Sequence, residues 1–264
     1  MGQPVKKAKI IEVAEAEHPR QDSAGSIGVV TALAPKDVVR LAHKSNFSHI
    51  VQKDGMAFDL EMQTAQSMVE NVEQFLKDPV SIILGPTKDG EDRSRLFVSA
   101  TPQDKKRVTL DLFEDFIAKI KGARRIREQA LLVADELYTN AMKLGQPHAV
   151  IAPAGKQREG LVEFFAESDG SRLVLGCRDS FGELGFGQVL SRITHCFEKG
   201  IVESINQNND GGAGIGSYMV FNTCVSYYCG VEKGLTTVVC VALPLGVSEM
   251  DLATLPKNIH LVSA

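Results

Sequence analysis

Apolar residues recur along this chain with two periods, and each change of period marks a new element. Residues 1–25 mix charge, Pro and Gly with little periodicity and read as a flexible arm. Ile27 to Ala32 then reads as an apolar strand closed by Pro35. Val38, Val39, Leu41 and Ala42 give a helix pattern over Lys36 to Lys44, and Ser48 to Gln52 a second short strand. From Phe58 to Leu76 the spacing of Met62, Ala65, Val69, Val72 and Leu76 predicts a single helix stopped by Pro79, with a strand at Val80 to Leu84.

The polar stretch Pro86 to Ser94, rich in Gly, Asp and Lys, is the expected boundary. Beyond it come a strand (Arg95 to Ala100) and two helices, Lys105 to Lys121 and Ala123 to Lys143. Leu110, Phe113, Ile117 and Ile120 share a face of the first, and Ile126, Ala130, Val133, Leu137 and Ala141 a face of the second. Strands follow at Ala149 to Ala152, Gly160 to Glu167 and Arg172 to Arg178. A long loop and a helix at Ile215 to Thr223 lead to a closing hairpin, Val225 to Val231 and Leu235 to Leu243, with a Glu-Lys-Gly turn. The expected fold class is α+β: a two-layer α/β sandwich over 95–246, a small α/β segment at 26–88, and a C-terminal tail at 247–264.

Composition narrows the function classes. The 264 residues, 44% hydrophobic and 23% charged, can bury a full core. No apolar run approaches the roughly 20 residues of a membrane helix, and Met1 to Arg20 lacks the apolar stretch of a secretion signal, so the expectation is a cytoplasmic protein without a membrane role. A net charge of −4 with dispersed Lys and Arg gives no footprint for nucleic acid. The one basic cluster, Lys119 to Arg127, reads as a solvated face. Five cysteines without a C-x-x-C pair argue against a disulfide framework or a zinc knuckle and read as buried, reduced thiols.

Three places carry candidate chemistry. Glu136, Asn140 and Lys143 stand at i, i+4 and i+7 of the second long helix and form one polar stripe, suited to orienting a water, holding a hard cation and meeting a phosphate. The alternative is a helix edge that alternates charge for solubility, and Asp135 beside it reads as solvated. Asp179, at the end of a strand and ahead of Gly182, can accept a hydrogen bond from an exocyclic amine, or can simply shape a turn. Gly211, Gly212, Gly214 and Gly216 open an apolar helix and expose backbone N–H groups to phosphate, or form a plain loop. Neither a Walker loop nor a dinucleotide fingerprint fits these glycines.

In order and spacing, Glu136-Leu-Tyr-Thr-Asn140-Ala-Met-Lys143 resembles the N-box of the GHKL superfamily, Asp179-Ser-Phe-Gly182 its first glycine box, and Gly212-Ala-Gly214-Ile-Gly216 its second. The resemblance covers about residues 95 to 245. It implies the histidine-kinase-like ATPase fold and Mg-ATP as ligand. Asn140 would ligate Mg²⁺, Glu136 would polarise a water or substrate hydroxyl as catalytic base, and Lys143 would approach the phosphates. Asp179 would bind the adenine amine, Gly182 would let the ring sit close, and Gly212, Gly214 and Gly216 would pass the triphosphate. Residues Glu183 to Asp210 would form an ATP lid, with the apolar run Val189 to Phe197, including His195 and Cys196, serving packing. The first glycine box departs from the usual D-x-G-x-G pattern, because Phe181 and Glu183 occupy its glycine positions.

No phosphoaccepting His on a helical hairpin precedes this domain; His18, His43 and His49 lie in an arm or beside a short strand. The layout is closest to stand-alone anti-sigma-factor serine kinases, which implies ATP or ADP as ligand and a sigma factor, antagonist or other signalling protein as partner. The alternatives are a nucleotide-gated binding module without productive catalysis, and a degenerate scaffold without nucleotide. Val29 to Ala32, a helix and His49 to Lys53 also resemble the second half of a receiver domain, with Thr31 and Lys53 at its switch positions. That resemblance implies a docking or homodimerisation face without phosphorylation; an unrelated α/β module is the alternative.

Overall fold

Strand pairing runs without a break through the chain in the computed structural model, which describes residues 8–13, 25–45, 47–55, 57–86, 93–101, 104–145, 161–201 and 215–264. The strands are β1 (Ile10–Glu12), β2 (Ser26–Val30), β3 (Phe47–Gln52), β4 (Ser94–Ala100), β5 (Val162–Ser168), β6 (Arg172–Asp179), β7 (Ser226–Glu232), β8 (Thr236–Pro244) and β9 (Asn258–Ser263). They form one mixed sheet in the order β1-β2-β3-β9-β7-β8-β6-β5-β4. β1, β2 and β3 are mutually parallel, and β4 through β8 pair antiparallel. The expected strand at Ala149 to Ala152 lies outside the described residues.

Two expectations about the ends are corrected. Residues 247–264 are no tail: they hold the short helix α9 (Glu249–Leu252) and strand β9, which pairs parallel with β7 and antiparallel with β3. Nor is the first segment separate, since β9 splices β1–β3 onto the antiparallel strands. Asn258, Ile259, His260, Leu261 and Val262 are all buried, as a central strand requires. Within the arm, β1 pairs with β2, and Lys53 Nζ meets Glu12 Oε1 at 2.8 Å.

The two layers expected over 95–246 gain a third from the first segment, so that helices cover both faces of the sheet. On one face lie α1 (Pro35–Lys44), α5 (Lys106–Lys119), α6 (Arg127–Gly145, entered through the 3₁₀ turn Ala123–Ile126), α7 (Phe186–Lys199) and α8 (Ile215–Thr223). On the other face lie α2 (Phe58–Glu70), α3 (Val72–Lys77) and α4 (Pro79–Leu84). Phe75, Leu76, Val80 and Ile83 pack there against Phe165, Val174, Val238 and Cys240. Strands buried on both sides read as continuous apolar runs, as β6 (Arg-Leu-Val-Leu-Gly-Cys) and β8 (Thr-Thr-Val-Val-Cys-Val-Ala-Leu-Pro) do.

The single helix expected from Phe58 to Leu76 is two, α2 and α3, and the expected strand at Val80 to Leu84 is the helix α4. Asn71 and Asp78 interrupt and restart the chain. Their side chains accept from Gln74 N and Ser81 N at the starts of α3 and α4, where Pro79 adds a preset φ at a position that needs no N–H.

A buried polar cluster pins α2 to the sheet. Glu61 accepts from the Tyr228 hydroxyl at 2.8 Å, lies 3.0 Å from His260 Nε2 and pairs with Arg172 at 3.4 Å. Arg172 also donates to Ile83 O at the end of α4. His260 Nδ1 is 3.1 Å from His49 Nδ1, so the cluster crosses from the antiparallel strands into β3. On the opposite face, the buried Lys257 ammonium donates to Asn222 O, Cys224 O and Leu252 O, capping the C-terminal end of α8. Burial brings its pKa down to about 8. Among the described residues no helix is long and apolar enough to cross a membrane.

Candidate functional site

Helix α6 lays its apolar stripe on β5 and β6, which leaves its polar stripe at the edge of a cleft between α6, α7, α8 and the ends of β6 and β8. The cleft encloses about 380 Å³, within the range of small-molecule sites. Glu136, Asn140 and Lys143 line it together, as the helical spacing requires, with Asn140 and Lys143 exposed at the mouth. Cys177, Tyr227 and Val239 supply an apolar floor. A wider depression of about 490 Å³, bounded by Ala42, Phe47, Val72, Phe186 and Leu261, contains none of the motif residues.

Asp179 ends β6 inside this cleft and is 5% exposed. Burial raises its pKa, while the backbone N–H groups of Phe181 and Gly182 and the neighbouring Thr237 pull it back. Its Oδ1 accepts from those two amides at 2.9 and 3.3 Å. Thr237 lies directly across the β6–β8 ladder, and Thr236 donates its hydroxyl to Asp179 O at 2.7 Å. A buried carboxylate held by two amides, with no ion-pair partner among the described residues, can accept from a ligand that brings its own N–H donor.

Glu136 faces the start of α8. A Cβ on Gly216 would fall 1.8 Å from Glu136 Oε2, so the glycine is what allows the carboxylate to lie against the helix start. Burial raises the Glu136 pKa and Asp135 adds to the effect, against the opposing charges of Lys106 and Lys143. Asp135, expected to be solvated, is half-exposed and pairs with Lys106 at 2.7 Å, and the same ammonium donates to Thr139 Oγ1. Gly216→Ala is expected to displace Glu136 and to weaken any ligand held between this carboxylate and the start of α8 at least about 10-fold, with little change in unliganded Tm because α8 keeps its fold; calorimetric titration would register it.

Not every expected residue arrives at the cleft. Gly182 does not line it. With φ at +65°, its missing side chain makes room for Glu232 O and Gly234 N of the β7–β8 turn, at 2.1 and 2.6 Å from where a Cβ would sit. Its work is therefore to seat a hairpin. Gly212 and Gly214 lie outside the described residues, as do positions 202–210 of the expected lid. The first half of that lid is the docked helix α7, with Val189, Leu190, Ile193 and Cys196 buried and Arg40 of α1 donating to Glu198 at 3.1 Å. The packing expectation for this run thus holds.

Three contributors went unseen in the sequence. Thr237 is identified only by its register with Asp179. Gln188 and Arg192 of α7 form the wall opposite α6, and Arg192, half-buried, has no acidic partner among the described residues. Its signal would have been a cation on the polar flank of an amphipathic helix, which is too common to single out. The Cys177 thiol in the floor is pushed well up by burial and is chemically quiet. Among the described residues no cluster of His, Cys, Asp or Glu has the makings of a metal centre. No protein-family model matches the chain, and no curated protein matches its sequence.

Proposed function

We propose that this cleft is a Mg-ATP site of the histidine-kinase-like ATPase type, and that the chain is a signalling regulator, a protein serine kinase or regulatory ATPase with a protein partner such as a sigma factor or its antagonist. One observation carries the reading: residues from three stretches spread over about eighty positions line one cleft, with Glu136, Asn140 and Lys143 from α6, the buried Asp179 from the end of β6 and Gly216 from the start of α8. In the proposed layout, β4–β8 with α5–α8 form the ATPase sandwich and α2–α4 add a layer behind it.

Asp179, with Thr237 beside it, would take the exocyclic amine of adenine, over a floor apolar enough for a planar ring. The start of α8 presents N–H groups and the positive end of the helix dipole toward the phosphates, and Lys143 and Arg192 approach them from opposite walls. Asn140, one helical turn from Glu136, offers an amide oxygen that suits a hard cation completed by water and phosphate. Mg²⁺ so bound would neutralise charge developing on the transferred phosphoryl group. Glu136, its pKa raised by burial, would accept the proton of the attacking hydroxyl.

Thermal unfolding with ATP or ADP plus Mg²⁺ tests this. At about 100 times the dissociation constant the ligand stabilises by about 2.7 kcal/mol, and Asn140→Ala should lose the Mg²⁺-dependent part of the shift. No shift at millimolar nucleotide would sink the assignment. A second reading, a nucleotide-gated binder without catalysis, is favoured by the docking of α7 on α1, which links the cleft wall to the N-terminal strands. A bound nucleotide without measurable turnover would select it.

A further inference from the structure

Glu136 borders two cavities. Besides the cleft, it closes one end of a second groove of about 310 Å³ that runs between α5 and α6. The floor of this groove is aliphatic, with Leu110 from α5 and Leu131 from α6 both partly exposed. Its rim carries Asp111 and Glu114 on α5 and Asp135 on α6.

Together with Glu136 these make four carboxylates against one lining cation, Arg107. The rim acids do have ion-pair partners: Arg107 to Asp111, Arg127 to Glu114 and Lys106 to Asp135, each at 2.7 Å. All six side chains are between 38% and 80% exposed, so each pair is worth about 0–1 kcal/mol and yields readily to an incoming base. Helix α6 thus presents nucleotide-facing residues on one side and a leucine-floored acidic groove on the other, with the carboxylate proposed as base on the ridge between them.

We propose that the α5–α6 groove seats the phosphoacceptor segment of a protein substrate, a short stretch in which a hydroxyl residue is flanked by basic and aliphatic side chains. The inference rests on the reading of the cleft as a Mg-ATP site. The basic side chains would meet Asp111 and Glu114, and an aliphatic one would lie on Leu110 and Leu131. The acceptor hydroxyl then reaches Glu136 from the side opposite the nucleotide. Its oxygen bonds to the terminal phosphorus of ATP, and the bond from that phosphorus to the β–γ bridging oxygen breaks. ADP leaves with the electron pair, and the hydroxyl proton passes to Glu136.

The test uses the full chain, labelled ATP with Mg²⁺, and a positional-scanning library of peptides with one fixed serine. Peptides with Arg or Lys and Leu near the serine should be labelled about 10-fold or more faster than acidic ones. The double variant Asp111→Lys, Glu114→Lys should erase or invert that preference, and Leu131→Ser should lower labelling of the leucine-bearing peptides, while both retain the nucleotide-induced rise in Tm, which shows that they are folded. Equal labelling of acidic and basic peptides, an unchanged preference in the double variant, or no labelling despite a normal nucleotide shift would each overturn the groove assignment and leave the nucleotide site standing. Absence of the shift in the unaltered chain would overturn both.

Discussion

Asp179→Ala should cut the nucleotide-induced rise in Tm by about half or more, and Asp179→Asn should separate the two jobs this side chain performs. In the folded chain Oδ1 satisfies the amides of Phe181 and Gly182, which holds the turn after β6. Alanine leaves those N–H groups unpaired in a buried setting, at a cost of about 1–3 kcal/mol of stability. It also deletes the acceptor for the ligand's amine. A hydrogen bond to a charged group is worth about 1.5–3 kcal/mol, so affinity should fall roughly 10- to 150-fold, which cuts the stabilisation at about 100 times the parent dissociation constant from about 2.7 kcal/mol to between about 1.4 and 0.3 kcal/mol. Asparagine keeps one oxygen for the turn amides and places a donor where the second oxygen was. Its unliganded Tm should stay close to that of the parent chain, while ADP, which presents an amine, is rejected and GDP, which presents a keto oxygen, gains. Calorimetric titration of both variants with ADP and GDP reads this out. If ADP bound Asp179→Asn as tightly as the parent, the carboxylate would be a turn residue only.

How far the sequence reveals the fold depends on which contacts fix each element. Helical spacing alone placed Glu136, Asn140 and Lys143 on one side of α6, and all three line the cleft. The β7–β8 hairpin was legible for a similar reason, since its strands and its Glu-Lys-Gly turn are local. Thr237 was not, because its partnership with Asp179 is a matter of strand register, and nothing within either strand names the other. Strand β9 was hidden by a Pro-containing, mixed approach and by its short apolar run, yet its place between β3 and β7 decides that the chain has one sheet. The third layer did leave a trace. β5, β6 and β8 show apolar runs where a strand with one wet face would alternate, and such runs demand cover on both sides. Gly182 misled for the opposite reason: its position after Asp179 fits a ligand-facing glycine, but its left-handed φ and the crowding of Glu232 O tie it to the hairpin.

Glu61→Ala should be among the more damaging single changes, lowering stability by about 3 kcal/mol, because it removes the α2 partner of the buried Arg172 guanidinium and leaves it Asp169 as its carboxylate. The replacement also removes the acceptor of the Tyr228 hydroxyl. Glu61→Gln, which keeps the shape and one acceptor oxygen, should lose less, and denaturant melts of the pair separate charge from packing. The same cluster sets an acid limit. Burial alone would raise the Glu61 pKa, but His260, Arg172 and Tyr228 together hold it below the ordinary glutamate value. Its contribution is therefore complete above the unfolded glutamate pKa and is lost as pH falls through the lower, folded one. His49 acts at milder pH. Burial, with His260 beside it, depresses its pKa far below the ordinary value, so below about pH 6.5 the unfolded chain binds a proton that the folded chain refuses. Stability should then fall with acidification by up to about 1.4 kcal/mol per pH unit for this one ring. His260 Nε2 lies against Glu61 and its Nδ1 against His49 Nδ1, so a replacement at 49 has to keep a polar atom that can meet His260. His49→Gln provides one and cannot titrate, and its stability profile between about pH 5 and 6.5 should be flatter than the parent's by close to one proton. An equally steep profile in His49→Gln would mean that the acid limit arises elsewhere in the chain.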